Sequence, residues 1–486
     1  MGGLKTLFKQ TFIYGLATVL PRMLSFLLVP LYTTDGVLSS VAEYGEVNVI
    51  FSWFVIFNVI LAYGMETAFF RFFHKEEDKN LVIGTSVMSL ILSSFGFFTL
   101  ALIFRNHIAA LTDIDVKYIN LVIWILLLDA LVIIPFAWLR AMQRPMRYAI
   151  IKILNVAINL GLNLFFLLAL QPLASHFPVF ESIYKPNFEI SYIFIANLIA
   201  SAVTLTFMLP FYTKISFNFN AKLWKQMMTY GLPVLVAGIA FSINETFDRI
   251  LLKELLPATI ADTQIGMYSA CYKLALFMTL FATAYRLGIE PFFFSQANAK
   301  NAKESYAKIL EFFVAFGSVI LLGVVVFADV LKVIIVRSEA YWEAMWIVPI
   351  ILLANFFLGI YHNLSVWYKI TDRTKFGAYI SVVGALVTLF INIVFIKEFS
   401  YKASAIATLA AYFVMMVLSY GYGRKYYPIP YNLKKIGLYL ILSIGFSVLS
   451  FYKFRGMYGM GILMLIVFLT IIYISEKKQI KQLLKR

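Results

Sequence analysis

Residues 118–139 read YINLVIWILLLDALVIIPFAWL, a run in which Asp129 is the only charged side chain. About 20 apolar residues in a helix rising about 1.5 Å each match a hydrocarbon core roughly 30 Å thick. Inside that core each backbone N–H and C=O must be satisfied by the segment itself, and a helix does so. Similar runs lie near 11–34, 44–70, 81–104, 150–170 and 190–213, then 226–252, 265–294, 309–331, 344–368, 376–396, 403–423, 436–452 and 457–475. The sequence therefore predicts an all-α membrane protein with about fourteen transmembrane helices.

Composition agrees. Of 486 residues, 62% are hydrophobic and 14% charged, which excludes a water-soluble fold and leaves no stretch for a large soluble enzyme domain. The formal charge of +16 does not signal nucleic acid, because Lys and Arg punctuate apolar spans instead of forming a solvated patch. Cys271 is the only cysteine, so no intramolecular disulfide is available, and no Cys or His neighbours it at metal-ligand spacing. Met1 to Gln10 precede the first long span without a small-residue cleavage site, so no cleaved signal peptide is expected.

Basic residues in alternating connections set the orientation, since they are retained on the cytoplasmic side. The set that includes Lys5, 71–79, 140–152 and 477–486 holds 27 Lys and Arg; the opposite set, from the 35–43 turn to Arg455, holds 10. Both termini are thus expected in the cytoplasm.

The chain also resembles itself. Tyr14-Gly15-Leu16 recurs as Tyr230-Gly231-Leu232, Gly45 matches Gly266, and Gly64-Met65-Glu66-Thr67-Ala68-Phe69-Phe70 matches Gly288-Ile289-Glu290-Pro291-Phe292-Phe293-Phe294. Arg140, Arg144, Ala149 and Asn163 align with Lys369, Arg373, Ala378 and Asn392. The shared order of these short matches gives them weight. Six spans per repeat is an even number, so the copies enter the membrane in the same sense and are expected to be related by a pseudo-twofold along the membrane normal. The expected division is a six-helix lobe at 1–215, a second at 216–430, and two additional helices with a basic cytoplasmic tail at 431–486.

Outside the connections just counted, four basic residues fall inside expected spans: Arg22, Arg249, Lys273 and Arg286. A charge at the bilayer centre costs on the order of 2.5–3.5 kcal/mol on insertion scales, so such groups face a cavity or a partner. Arg22, flanked by Pro21 and Pro30, is the first candidate for holding an anionic substrate, with an ion pair to Glu66 or Asp129 as the structural alternative. Lys273 and Arg286 are further substrate-binding candidates; Arg286 is equally explained by snorkelling to the interface. Glu66, Glu290, Asp129, Asp248 and Arg249 are candidates for gating or coupling, with Asp248–Arg249 also explicable as a self-neutralising cluster and Glu66 and Glu290 as structural braces. Asn155, Asn159 and Asn163 share one helical face and are expected to bind helices together. No nucleotide-binding loop, metal-ligand pair or G-x-S-x-G elbow occurs, so neither an enzyme nor a cofactor is expected.

The run from Tyr14 through Pro21-Arg22, Leu28-Val29-Pro30-Leu31-Tyr32-Thr33 and Glu43-Tyr44-Gly45 to Gly64-Met65-Glu66-Thr67-Ala68-Phe69-Phe70-Arg71-Phe72 resembles the start of bacterial oligosaccharide flippases of the multidrug/oligosaccharidyl-lipid/polysaccharide exporter superfamily. Trp367-Tyr368-Lys369-Ile370-Thr371-Asp372-Arg373-Thr374 through Asn392 resembles the corresponding second-half connection. The resemblance implies two lobes working by alternating access in the bacterial inner membrane, moving a polyprenyl-diphosphate-linked oligosaccharide to the outer leaflet for cell-surface polysaccharide synthesis. The expected partners are that lipid-linked sugar, membrane lipids and pathway enzymes such as glycosyltransferases or a polymerase, with no nucleic acid and a monomeric state. Fourteen helices is similar to the lipid II flippases, so lipid II is a second possible cargo. Two competing functions are a drug or cation antiporter of the same superfamily and a membrane polysaccharide polymerase or ligase. The antiporter would want an acid in the first or seventh span; the polymerase would want a large outer loop.

Overall fold

The computed structural model describes residues 19–295, 299–371 and 373–484. Among them there is no strand, and thirteen helices are long and apolar enough to cross a membrane. They follow a shorter apolar helix, α1 (Val19–Tyr32), as α2 (Val41–Lys75), α3 (Lys79–Ile103), α4 (Val116–Ala141), α5 (Pro145–Ala174), α6 (Glu189–Tyr212) and α7 (Ala221–Leu255). The second half holds α8 (Ala258–Glu290), α9 (Ala302–Val326), α10 (Glu339–Ile370), α11 (Lys375–Phe399), α12 (Tyr401–Tyr426), α13 (Leu433–Lys453) and α14 (Tyr458–Lys477). Each expected span has a helix at its place; the part of the first that precedes Val19 lies outside the described residues. The protein is a multi-pass membrane protein.

Helix boundaries follow local chemistry. Ser40 accepts a hydrogen bond from the Glu43 amide at 3.4 Å while Glu43 accepts one from the Ser39 amide at 2.8 Å, a two-way cap at the start of α2. Asp78 and Asn220 cap α3 and α7 through the amides of Leu81 (3.0 Å) and Leu223 (2.9 Å). Pro145 opens α5 five residues ahead of the expected start, because its missing N–H costs nothing in a first turn. Lys152, at the overlap of the expected 140–152 connection and the span near 150, lies two turns inside this helix.

The chain divides into two compact units, Met1–Gly266 and Met267–Arg486, so α7 and the start of α8 pack with the first six helices. In the first unit α2 breaks at Tyr63 and Gly64, both in left-handed conformation (φ 30° and 72°). A side chain at Gly64 would begin 2.2 Å from the carbonyl oxygen of Gly231. The glycines of two separate sequence matches are thus one backbone contact, between α2 and α7. A second close approach is reciprocal: a Cβ on Gly45 would lie 1.9 Å from the Asp262 carbonyl oxygen, and one on Gly266 2.1 Å from that of Val41. Val41 and Asp262 are as far apart in sequence as Gly45 and Gly266, so the contact has the symmetry of the repeat.

The second unit is built around α10 and α12, with Trp367 and Tyr412 fully buried. Its last two helices are fastened to α9 and its flank at both ends. At one end Lys435 of α13 lies 3.0 Å from Glu311 of α9 and 2.5 Å from Glu476 of α14, and the Tyr439 hydroxyl donates to Glu476 at 3.0 Å. At the other, Arg455 between α13 and α14 donates twice to Asp329, at 3.0 and 2.9 Å, on a short helix after α9 (Ala328–Ile335).

Gly45→Val is expected to lower the stability of the solubilised protein by about 1–3 kcal/mol, as overpacking does, whereas Gly96→Ala, where a Cβ meets nothing within 4 Å, leaves it unchanged; loss of monodispersity on heating measures both. The Arg455 guanidinium, then Lys332, hold the Asp329 carboxyl down from 3.8 to about 2. A depressed carboxyl contributes stability above its unfolded value that is lost as pH falls through the folded one. The stability difference between wild type and Asp329→Asn should be constant above pH 5 and shrink between 3.8 and about 2, as read by thermal unfolding across that range.

Candidate functional site

After the break at Gly64, Glu66 occupies the first turn of a new helical segment, where a carboxylate meets the positive end of the helix dipole. It forms an ion pair with Arg140, near the end of α4, and the Arg140 guanidinium also sits 4.6 Å from the centre of the Phe70 ring. In the second unit Glu290, at the end of α8, pairs with Lys369, near the end of α10, at 2.6 Å. Glu66 aligns with Glu290 and Arg140 with Lys369 in the internal repeat, so both partners recur and so does the bond. The sequence exposed all four positions but not the pairing. Glu66 is thereby committed to Arg140, and Asp129 accepts from the Ser201 hydroxyl at 2.7 Å.

Arg22 lies on α1 and is largely uncovered by protein. Lys273 is half-buried and stands where α8 tightens into one 3₁₀ turn, Lys273–Ala275, between regular segments ending at Tyr272 and resuming at Leu276. A 3₁₀ turn inside a long helix marks a hinge or a strained point. Arg286, thirteen residues on, is also half-buried. None of the ion pairs among the described residues includes it, because the acid one turn away, Glu290, takes Lys369.

Asp248 and Arg249 are buried neighbours on α7: the guanidinium donates to Asp248 at 2.8 Å and to the Glu245 carbonyl at 2.9 Å, which neutralises the pair locally. Asp129 and Glu66 both line a polar cavity of about 310 Å³ inside the first unit, together with Lys152, Asn58, Asn155 and Asn197. Lys152, counted with the 140–152 connection, was not among the candidate site residues. Its ammonium stands 4.2 Å from the centre of the Phe136 ring. Pro145, a favoured first helical residue, is the local signal that the helix begins ahead of Lys152.

The asparagine stripe of α5 binds helices together. Asn155 donates to Thr204 of α6 at 2.9 Å, and Asn163 accepts from the Tyr32 hydroxyl of α1 at 2.7 Å. Asn392, the repeat partner of Asn163, accepts from Ser404 of α12 at 2.7 Å. Among the described residues no group of three or more His, Cys, Asp or Glu is placed to hold a metal ion.

Lys369→Glu sets two carboxylates side by side and should destabilise the second unit, while the exchange Glu290→Lys with Lys369→Glu restores it. A double-mutant cycle on thermal stability should give a coupling of about 0.5–1 kcal/mol for these half-exposed groups, and the same for Glu66 and Arg140.

The fold is that of known exporters. The lipid II flippase MurJ, in an inward closed conformation, is 16% identical and superposes with a TM-score of 0.70 over 96% of this chain and 99% of its own. A transporter of the multidrug/oligosaccharidyl-lipid/polysaccharide exporter superfamily from Pyrococcus furiosus is 13% identical (TM-score 0.63, 86% of this chain and 95% of that one). An inward-facing multidrug resistance MATE transporter is 12% identical (TM-score 0.61, 87% and 99%). No curated protein matches the sequence. The model of the polysaccharide biosynthesis protein family matches residues 7–285, more than half of the chain, and the chain belongs to that family.

Proposed function

We propose that this protein is an alternating-access flippase that moves a polyprenyl-diphosphate-linked oligosaccharide from the cytoplasmic to the outer leaflet of a bacterial inner membrane for cell-surface polysaccharide synthesis, with both termini in the cytoplasm. The observation that carries this reading is Arg286: a half-buried guanidinium inside a membrane span that enters none of the ion pairs among the described residues. Keeping a charge there is costly unless an anion offsets it at some stage of the cycle. Guanidinium presents paired donors that fit phosphate oxygens, and a diphosphate is the densest negative charge on a lipid-linked sugar. Arg22 and Lys273 are the further cations assigned to that anion. Lys273 stands at the 3₁₀ turn of α8, where a change in helix bend would move it relative to Arg286.

The repeated pairs Glu66–Arg140 and Glu290–Lys369 act as braces: each ties the end of one span to a neighbour in its own unit, so that helices move together as the cycle proceeds. Lipid II is a second cargo reading. It is favoured by the extent of superposition, since the lipid II flippase covers 96% of this chain where the MATE transporter covers 87%.

In vesicles reconstituted with a polyprenyl-diphosphate sugar, Arg286→Ala and Arg22→Ala are expected to slow translocation about 10- to 100-fold, the equivalent of a lost charge-assisted hydrogen bond, while both variants remain monodisperse. Arg286→Lys should retain part of the rate. Unchanged flipping in both alanine variants would remove the diphosphate role.

A further inference from the structure

On the first unit a second, apolar cavity of about 600 Å³ runs between α2, α3, α4, α7 and the short helix Arg105–Thr112. Its aromatic wall is continuous: Trp53 lies 6.0 Å from Phe57 and 6.5 Å from Phe247, and Phe57 lies 5.5 Å from Phe97, centroid to centroid. Leu100, Phe104 and Leu111 on its rim are 58, 56 and 69% exposed, so the cavity is a groove open along the side of the helix bundle. Four of its five walls are helices long and apolar enough to span a membrane. Its size is that of a small-molecule site, ~300–1,000 Å³.

One carboxylate lines this predominantly apolar surface: Glu254, in the last turn of α7. No hydrogen bond or ion pair among the described residues includes it, and the adjacent cation, Lys253, is already held by Asp113 at 3.1 Å and Asp262 at 2.8 Å. From Glu254 the groove descends along Leu251 and Ile250 to Phe247, two helical turns or roughly 10 Å deeper. A helix end is the depth of lipid headgroups, and the interior below it is the depth of lipid tails. The layout is an acid at the head and an aromatic trough for the chain.

We infer that this groove binds one phospholipid whose headgroup carries a primary ammonium, with the ammonium donating to Glu254 and an acyl chain lying against Trp53, Phe57 and Phe247. Charge decides between the available amphiphiles. An anionic phospholipid or a polyprenyl diphosphate would bring negative charge against Glu254, whereas an ammonium forms a charge-assisted hydrogen bond. The site does not depend on the flippase reading, and its test needs no transport.

Trp53 is the reporter. Full-length protein is reconstituted in vesicles doped with phosphatidylethanolamine or phosphatidylglycerol brominated on the acyl chain, and the Trp53 emission is taken as the difference from Trp53→Phe. Brominated phosphatidylethanolamine should quench that component at about three- to tenfold lower mole fraction than brominated phosphatidylglycerol, and Glu254→Gln should abolish the difference while leaving quenching itself in place. In parallel, native mass spectrometry of protein released from mixed-lipid nanodiscs should show one retained phosphatidylethanolamine on wild type and on Trp53→Phe, and none on Glu254→Gln. Equal quenching by the two lipids, a preference that survives Glu254→Gln, or displacement of the brominated lipid by polyprenyl diphosphate as readily as by unlabelled phosphatidylethanolamine would overturn the assignment.

Discussion

A charged side chain in a bilayer persists only where a partner or a polar space replaces the water it has given up. Much of this structure is arranged by that constraint. Glu66 takes Arg140, Glu290 takes Lys369, Asp248 takes Arg249, and Lys435 is shared by Glu311 and Glu476. Asp248–Arg249 closes on its own helix, and each of the other bonds involves a residue near a helix end. The bonds therefore fasten the bundle at its rims and leave the mid-membrane contacts to close packing, where small residues and backbone approach count for more than hydrophobicity does in water.

Close packing brings its own requirement. Gly64 meets Gly231 and Gly45 meets Asp262 at distances no side chain would permit, so α2 is drawn against α7 and the start of α8 by absence of side chain. The α13–α14 pair, which has no copy in the repeat, is held by polar anchors at both of its ends, the Lys435 cluster and the Arg455–Asp329 pair. An appended hairpin that buries only part of its surface needs such anchors to keep one register against α9.

Spans were legible because membrane thickness imposes a similar length on all of them, so hydropathy alone located the described helices, their ends to within about two turns. The repeat was legible through glycines and paired charges, the residue types that packing and desolvation restrict most. Lys152 fell where the expected 140–152 connection and the span near 150–170 overlap, so it was counted with the connection, and only the helix drawn from Pro145 puts it two turns inside α5. The acids of Glu66 and Glu290 were visible, but their bases lie 74 and 79 residues away, beyond anything local spacing reveals. Glu311 and Glu476 were not singled out at all, since each stands at the edge of an apolar run and is indistinguishable there from an interfacial charge.

By itself, then, the sequence determined the solvent, the number and order of helices, their duplication and the positions where charge enters the membrane, because those follow from one-dimensional properties: length, polarity and recurrence. Only the tertiary structure decided which acid meets which base, which glycines touch, and that Asp129 and Lys152 share a polar cavity while Glu254 stands over an apolar one. Those are properties of distance in space, fixed when helices far apart in the chain choose their neighbours.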